Sequence, residues 1–449
     1  MSQSEAVAIQ EETPASQESR LDPRADPRPP LSTQIGWTAA GNVGYAALQW
    51  CMLIVLTKLV PAVAVGQFGL GLALSVPVLM FTNLQLRSIQ ATRASDRFEF
   101  DDYLGVRLVS TAAALVFLAI AVVIIGYRSA TAWVVLAVSL SKGIESIADT
   151  VYGHLQHRER MNRIAISMLC RGALSLLVLG GVLWITRSVL IGVLGMAVAS
   201  GLVLLAYDLP SARAVTRASR TSRPSQPGNG PRFHIVTMRA IVTLGLPLGV
   251  ASLLLALAAN TPRYFLERWH GEAALGYFAA LAYPTAAFSI VVSAFGQAAT
   301  PRLAEFYRTN RRAFWRLVLS LCAVPVLIAI IAAIGVMALG SSLLSFFYKP
   351  EYSRYFDAFV IMLASGATWS LASVLGFAAT AARKLAGQAP VSLVVCAVTL
   401  LLSVILVPGL GVRGAAIVSV LSGLTSTGAY LSLLVWRPVR VQTPGTVTP

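Results

Sequence analysis

The run LVSTAAALVFLAIAVVIIGY, Leu108 to Tyr127, holds twenty residues without a charge. About twenty apolar residues cross the hydrocarbon core of a bilayer as a helix. The run shows no period-two alternation, which argues against a barrel strand. In lipid, a helix satisfies its backbone groups internally, so this stretch reads as a transmembrane helix. Similar segments begin near Trp37, Gly66, Leu104, Thr131, Ile164, Ser188, Ile241, Leu275, Phe314, Tyr355, Val391 and Gly414. They make an all-α polytopic membrane protein of about twelve transmembrane helices.

The composition agrees. Of 449 residues, 56% are hydrophobic and 12% charged, about half the charge of a soluble domain. The spans divide the chain. Residues 1–35, rich in Pro, Ser, Gln, Glu and Arg, read as a disordered tail. Residues 36–207 form one set of six helices and 240–437 a second. Between them, 208–239 is a basic linker, and 438–449 is a short tail. No n-region and h-region open the chain, so the first span is expected to act as its own insertion signal.

The formal net charge is +16. With the N-terminus in the cytoplasm, 23 of the 35 Lys and Arg residues fall in cytoplasmic segments and eight on the other side. The remaining four, Arg107, Lys142, Arg171 and Arg316, lie within or at the ends of spans. That bias is the positive-inside rule. It places both termini in the cytoplasm and leaves no basic patch on a folded soluble domain for nucleic acid. Cys51, Cys170, Cys322 and Cys396 lie far apart inside apolar runs and read as core thiols. They show neither metal-ligand nor disulfide spacing. No phosphate-binding loop occurs, and no cofactor is expected.

An internal repeat underlies the two halves. Gly66-Gln67-Phe68 matches Gly276-Tyr277-Phe278 at an offset of 210, and Lys58 matches Arg268 at the same offset. Gly192 and Gly201 match Gly414 and Gly423 at 222. Six spans per half make the repeat parallel, the arrangement of halves that enclose a midplane site.

Charges inside spans are costly and usually face a partner or a cavity. Lys142, Glu145, Asp149, Tyr152 and Gln156 share one helical stripe. Two readings stand side by side: an interhelical ion-pair network, and the polar lining of a lumen with a carboxylate that takes up a proton. Arg171 and Glu145 lie at equal depth, about 10 Å from the same end. They are expected to pair, leaving Lys142 and Asp149 for each other, a ligand or protons. Arg107 and Arg263 add positive charge. An electropositive lumen favours anionic cargo, because guanidinium grips phosphate and carboxylate bidentately.

Three blocks carry a resemblance. They are Phe81-Thr82-Asn83-Leu84-Gln85-Leu86-Arg87 with Tyr103 to Leu108, Lys142 to Ser146 with Tyr152-Gly153 and Arg158 to Met161, and Pro262 to Glu267 with Gly276 to Phe278 and Gln297 to Leu303. They resemble the Wzx-type polysaccharide and O-antigen flippases, in the polysaccharide transporter branch of the MATE-like (MOP) exporter superfamily. Arg93 stands where that pattern has an acidic residue.

The resemblance implies a flippase of the bacterial inner membrane rather than an enzyme. It would move undecaprenyl-pyrophosphate-linked oligosaccharide for lipopolysaccharide or exopolysaccharide synthesis, driven by an ion gradient. Polysaccharide polymerase and chain-length proteins are the expected partners. The candidate lumen residues are Arg87, Arg107, Lys142, Arg171 and Arg263, and the candidate ion-coupling residues Glu145 and Asp149. The alternatives are a drug or cation exporter of the same fold, a peptidoglycan-precursor flippase (which has two further helices) and a membrane enzyme of polysaccharide assembly. For the last, Glu267, His270 and Glu272 are the only base candidates in the longest outward loop.

Overall fold

A computed structural model of the chain describes residues 30–91, 98–127, 129–220, 230–384 and 387–435. Residues 1–29 of the expected N-terminal tail, the tail 438–449 and Arg93 lie outside these residues; residues 31–35 of that tail are helical, as the start of α1. Every regular element described is helical: α1 Leu31–Leu59, α2 Ala62–Thr82, α3 Leu86–Ala91, α4 Phe100–Ile125, α5 Ser129–His157, α6 Met161–Thr186, α7 Val189–Val203, α8 Leu209–Arg220, α9 Ile235–Ala282, α10 Ala286–Thr309, α11 Arg311–Leu339, α12 Ser342–Phe347, α13 Phe356–Ala381 and α14 Gln388–Val435.

Among the described residues, ten helical stretches are long and apolar enough to cross a membrane. Two of them break at a glycine in the left-handed half of φ space, Gly271 (φ 78°) in α9 and Gly411 (φ 55°) in α14. Glycine pays no Cβ penalty there. Each break turns one long helix back on itself, so ten stretches give twelve crossings, six in each half. Successive crossings alternate in direction. Both ends of the described chain therefore lie at one end of the bundle, here the near end. The α1–α2 turn, the α4–α5 turn and the two glycine breaks lie at the far end.

The surface is that of a protein in lipid. Val123 and Ile124 are 78% exposed and Ile185 81%, whereas Arg107, Thr150, Ser167 and Asp208 are buried. Large apolar side chains in contact with solvent-free hydrocarbon cost nothing. The cysteines do not follow the expectation of core thiols. Cys51 and Cys170 are exposed, whereas Cys322 and Cys396 are half-buried and pack against buried apolar clusters.

The largest buried apolar cluster joins both halves, with Leu56, Val65 and Val138 from the first and Leu266, Phe278 and Ala415 from the second. At its centre the repeat becomes visible. A Cβ on Gly66 would strike the carbonyl of Glu272, and one on Gly276 would strike the carbonyl of Ala62. Residues 62 and 66 plus the repeat offset give 272 and 276, so the contact is the same on both sides, as an isologous interface requires. The far end is closed by cross-half hydrogen bonds. Lys58 Nζ donates to the Phe346 carbonyl (2.7 Å), Lys349 Nζ to the Val60 carbonyl (2.7 Å) and Trp50 Nε1 to Tyr348 Oη (3.2 Å).

The expected linker begins later than residue 208. The helix of α7 continues through a π-helical turn, Leu204–Asp208, into α8. At its other end Arg232 docks on the start of α4, pairing with Glu99 at 3.1 Å.

Candidate functional site

The α5 stripe organises the site. Lys142, Glu145, Asp149 and Tyr152 line a cavity of about 310 Å³ in the first half, joined by Arg171 of α6, Tyr45 of α1 and Asn83 and Arg87 after α2. All four α5 residues face one way because their spacing follows the helical period.

Arg87 reaches the cavity through an unusual piece of backbone. Leu84 and Gln85 both adopt left-handed φ, 49° and 52°, which costs an L-residue roughly 1–2 kcal/mol. They end α2 and turn the chain into the short α3, whose second residue is Arg87. Arg107 clamps this turn. It is fully buried, donates from Nη2 to the Asn83 carbonyl (3.2 Å) and from Nη1 to Asn83 Oδ1, and from Nε to Thr150 Oγ1 (2.6 Å). Ser146 Oγ also donates to Asn83 Oδ1, at 2.5 Å. On the other side Gln85 Nε2 donates to Ser252 Oγ of α9 (3.0 Å), where Gly245 and Gly249 let α9 approach the Leu84 and Phe81 carbonyls.

The charges pair differently from the sequence expectation. Glu145 does not meet Arg171. Lys142 takes Glu145 at 2.8 Å, one turn away on its own helix, so no chain movement is needed to form the pair. Asp149 is taken by Arg87 Nη1 at 3.0 Å, and Arg87 Nε also donates to Gln156 (3.0 Å). Arg171 pairs with Asp208, and that pair is buried. The guanidinium groups of Arg87 and Arg171 each lie 5.7 Å from the ring centre of Tyr152, a cation–π arrangement. Tyr152 Oη meets Ser167 Oγ at 2.7 Å.

Exposure gives the cavity a direction. The Arg87 and Asp149 side chains are 36% and 32% exposed, Lys142 and Glu145 19% and 21%. Access therefore comes from the near end. Of the expected lumen residues, Arg87, Lys142 and Arg171 come together at one wall with Glu145 and Asp149. Arg107 stands behind that wall and touches Asn83 instead of the cavity. Arg263 lies on α9, outside the lining, with its Nη1 donating to Asn260 Oδ1 of the same helix (2.7 Å). Asn83, Tyr45 and Asp208 are additions. Asn83 sat within a quoted motif, and Asp208 was hidden because the apolar run ends at residue 207. Among the described residues no cluster of His, Cys, Asp and Glu could hold a metal ion.

The profile of a family described as polysaccharide biosynthesis protein matches residues 31–307. The chain belongs to that family. It is 26% identical to the capsular polysaccharide biosynthesis protein CapF of Staphylococcus aureus over 391 residues, 87% of this chain and 95% of CapF. Solved structures show the same fold. The lipid II flippase MurJ in an inward closed conformation superposes with a TM-score of 0.68 at 10% identity, covering 88% of this chain and 86% of that one. An inward-facing multidrug resistance MATE family transporter of the MOP superfamily gives 0.59 at 15% identity, covering 87% and 93%. This member of the polysaccharide biosynthesis protein family is a multi-pass membrane protein.

Proposed function

We propose that the protein is a flippase that carries undecaprenyl-pyrophosphate-linked oligosaccharide across the bacterial inner membrane, for lipopolysaccharide or exopolysaccharide synthesis, by alternating access coupled to an ion gradient. The observation that carries this reading is the wall of Arg87, Lys142 and Arg171 in a cavity accessible from the near end and closed at the far end. A pyrophosphate cannot enter hydrocarbon with its charges desolvated. Guanidinium and ammonium groups in a half-exposed cavity replace its hydration while the lipid chain stays in the bilayer.

Membership of the polysaccharide biosynthesis family supports the substrate class, and the MOP fold supports the rocking of two halves. With the near end in the cytoplasm, as the charge bias expects, the closed far end makes this an inward-facing state. Glu145 and Asp149 hold the cations in place of the ligand. Pyrophosphate entry then exchanges one anionic partner for another, instead of creating a buried charge. Arg107, which has no carboxylate partner among the described residues, adds positive potential from behind the wall.

The test is complementation of a strain that lacks its own flippase. Return of surface polysaccharide with unchanged drug sensitivity is expected. Changed drug sensitivity without polysaccharide would move the protein to the exporters.

A further inference from the structure

A second cavity, of about 950 Å³, lies at the far end. It is large enough for an extended polar ligand, and aromatic rings and hydrogen-bonding groups share its lining. Tyr127 of the α4–α5 turn forms one side. Tyr264, Glu267 and Arg268, before the break at Gly271, form the other, with Glu272 just after it.

Three of these groups are uncommitted: Glu267, Arg268 and the Tyr127 hydroxyl make no hydrogen bond or ion pair within the described residues. Together they offer an acceptor, a donor and a group that does both, beside the ring faces of Tyr127 and Tyr264. Among the described residues the lining carries two carboxylates, Glu267 and Glu272, and one guanidinium, Arg268, while His270 Nε2 is engaged by the Val407 and Pro408 carbonyls at 3.0 and 3.1 Å. Mixed, uncommitted hydrogen-bonding groups next to aromatic faces suit a neutral polyhydroxylated ligand.

Glu272 links this cavity to the seam between the halves. It accepts from Thr131 Oγ1 (2.5 Å) and Gln67 Nε2 (3.0 Å), both in the first half. Thr131 and Lys142 lie eleven residues apart on α5, about 16 Å along the axis. That is the axial distance a cargo spanning the two cavities has to cover once the seam opens.

We infer that the far-end cavity is a saccharide-binding vestibule: Tyr127, Tyr264 and Glu267 receive the neutral sugar portion of the cargo whose diphosphate the near cavity holds. The inference rests on the proposed function. Sugar hydroxyls that reach Glu272 compete with Gln67 and Thr131 and so favour opening of the seam.

The test uses purified full-length protein in vesicles and two lipids: undecaprenyl diphosphate bearing one sugar, and the same lipid bearing a neutral tetrasaccharide. The ratio of their flipping rates is the readout. Glu267→Gln and Tyr127→Ala are each expected to lower the tetrasaccharide-to-monosaccharide ratio three- to tenfold, the effect of one or two lost hydrogen bonds. Arg268→Gln, at an exposed position where folding is not at risk, is expected to lower it in the same direction. Arg87→Gln is expected to slow both lipids by a common factor. Far-end variants that leave the ratio at the wild-type value, whatever they do to the absolute rates, would overturn the vestibule. A wild type that flips neither lipid would instead overturn the proposed function.

Discussion

Arg107 and Arg171 show two ways to keep a guanidinium inside a membrane protein. Arg107 is held by neutral oxygens of Asn83, Ser146 and Thr150 and serves as a clamp on the left-handed turn. Arg171 is held by a carboxylate, Asp208, with its Nε and the Asp208 Oδ1 left without partners. Removing one member of a buried pair strands the other, at a cost of about 3–5 kcal/mol, whereas apolar replacement of both is often neutral. Asp208→Leu is therefore expected to lower the thermal midpoint of the purified protein sharply, and Arg171→Met added to it to recover most of the loss. A double variant no more stable than the single one would show that Asp208 has another role. The α5 stripe was legible in the sequence because its geometry depends only on the helical period. The pairing was not. Equal depth on a hairpin suggested Glu145 with Arg171, but depth says nothing of how the two helices are rotated. Lys142 also competes for Glu145 from one turn away, with no long-range packing needed.

Among the elements, α2 and α9 carry the join between the halves. Their approach at Gly66 and Gly276 leaves no room for a side chain. Overpacking a tight site costs about 1–3 kcal/mol, so Gly66→Ala and Gly276→Ala are each expected to destabilise the protein by that amount. Both crowd the same crossing. Once α2 and α9 have parted, the second methyl group meets less resistance, and the double variant is expected to fall short of the sum. Strict additivity in thermal unfolding would mean the two glycines pack independently. The repeat was readable from the matched spacing of Gly66, Phe68 and Lys58 with Gly276, Phe278 and Arg268, and the number of crossings from the apolar runs. Its consequence, that the matched glycines meet each other, needed the three-dimensional arrangement. Helix limits were less legible where composition changes without a structural break. The polar residues after 207 suggested a linker, yet the helix continues through Asp208, because a charge buried against Arg171 reads in sequence like one in solvent.

At the scale of the whole molecule, the proposed mechanism makes one path of the two cavities, with charge handled from the near end and sugar at the far end, across the seam at Gly66 and Gly276 that separates them. Such a path works only if the far end opens. Lys58 and Phe346, which meet there across the halves, can be replaced by cysteine after Cys51, Cys170, Cys322 and Cys396 have been changed to serine. A thiol-specific, reducible cross-linker then ties the halves together. The decisive measurement is the flipping of undecaprenyl-diphosphate oligosaccharide in vesicles by this protein before cross-linking, after it, and after reduction. Flipping that stops with the cross-link and returns with reductant is the predicted result; transfer at an undiminished rate with the far end tied shut would contradict alternating access through this path.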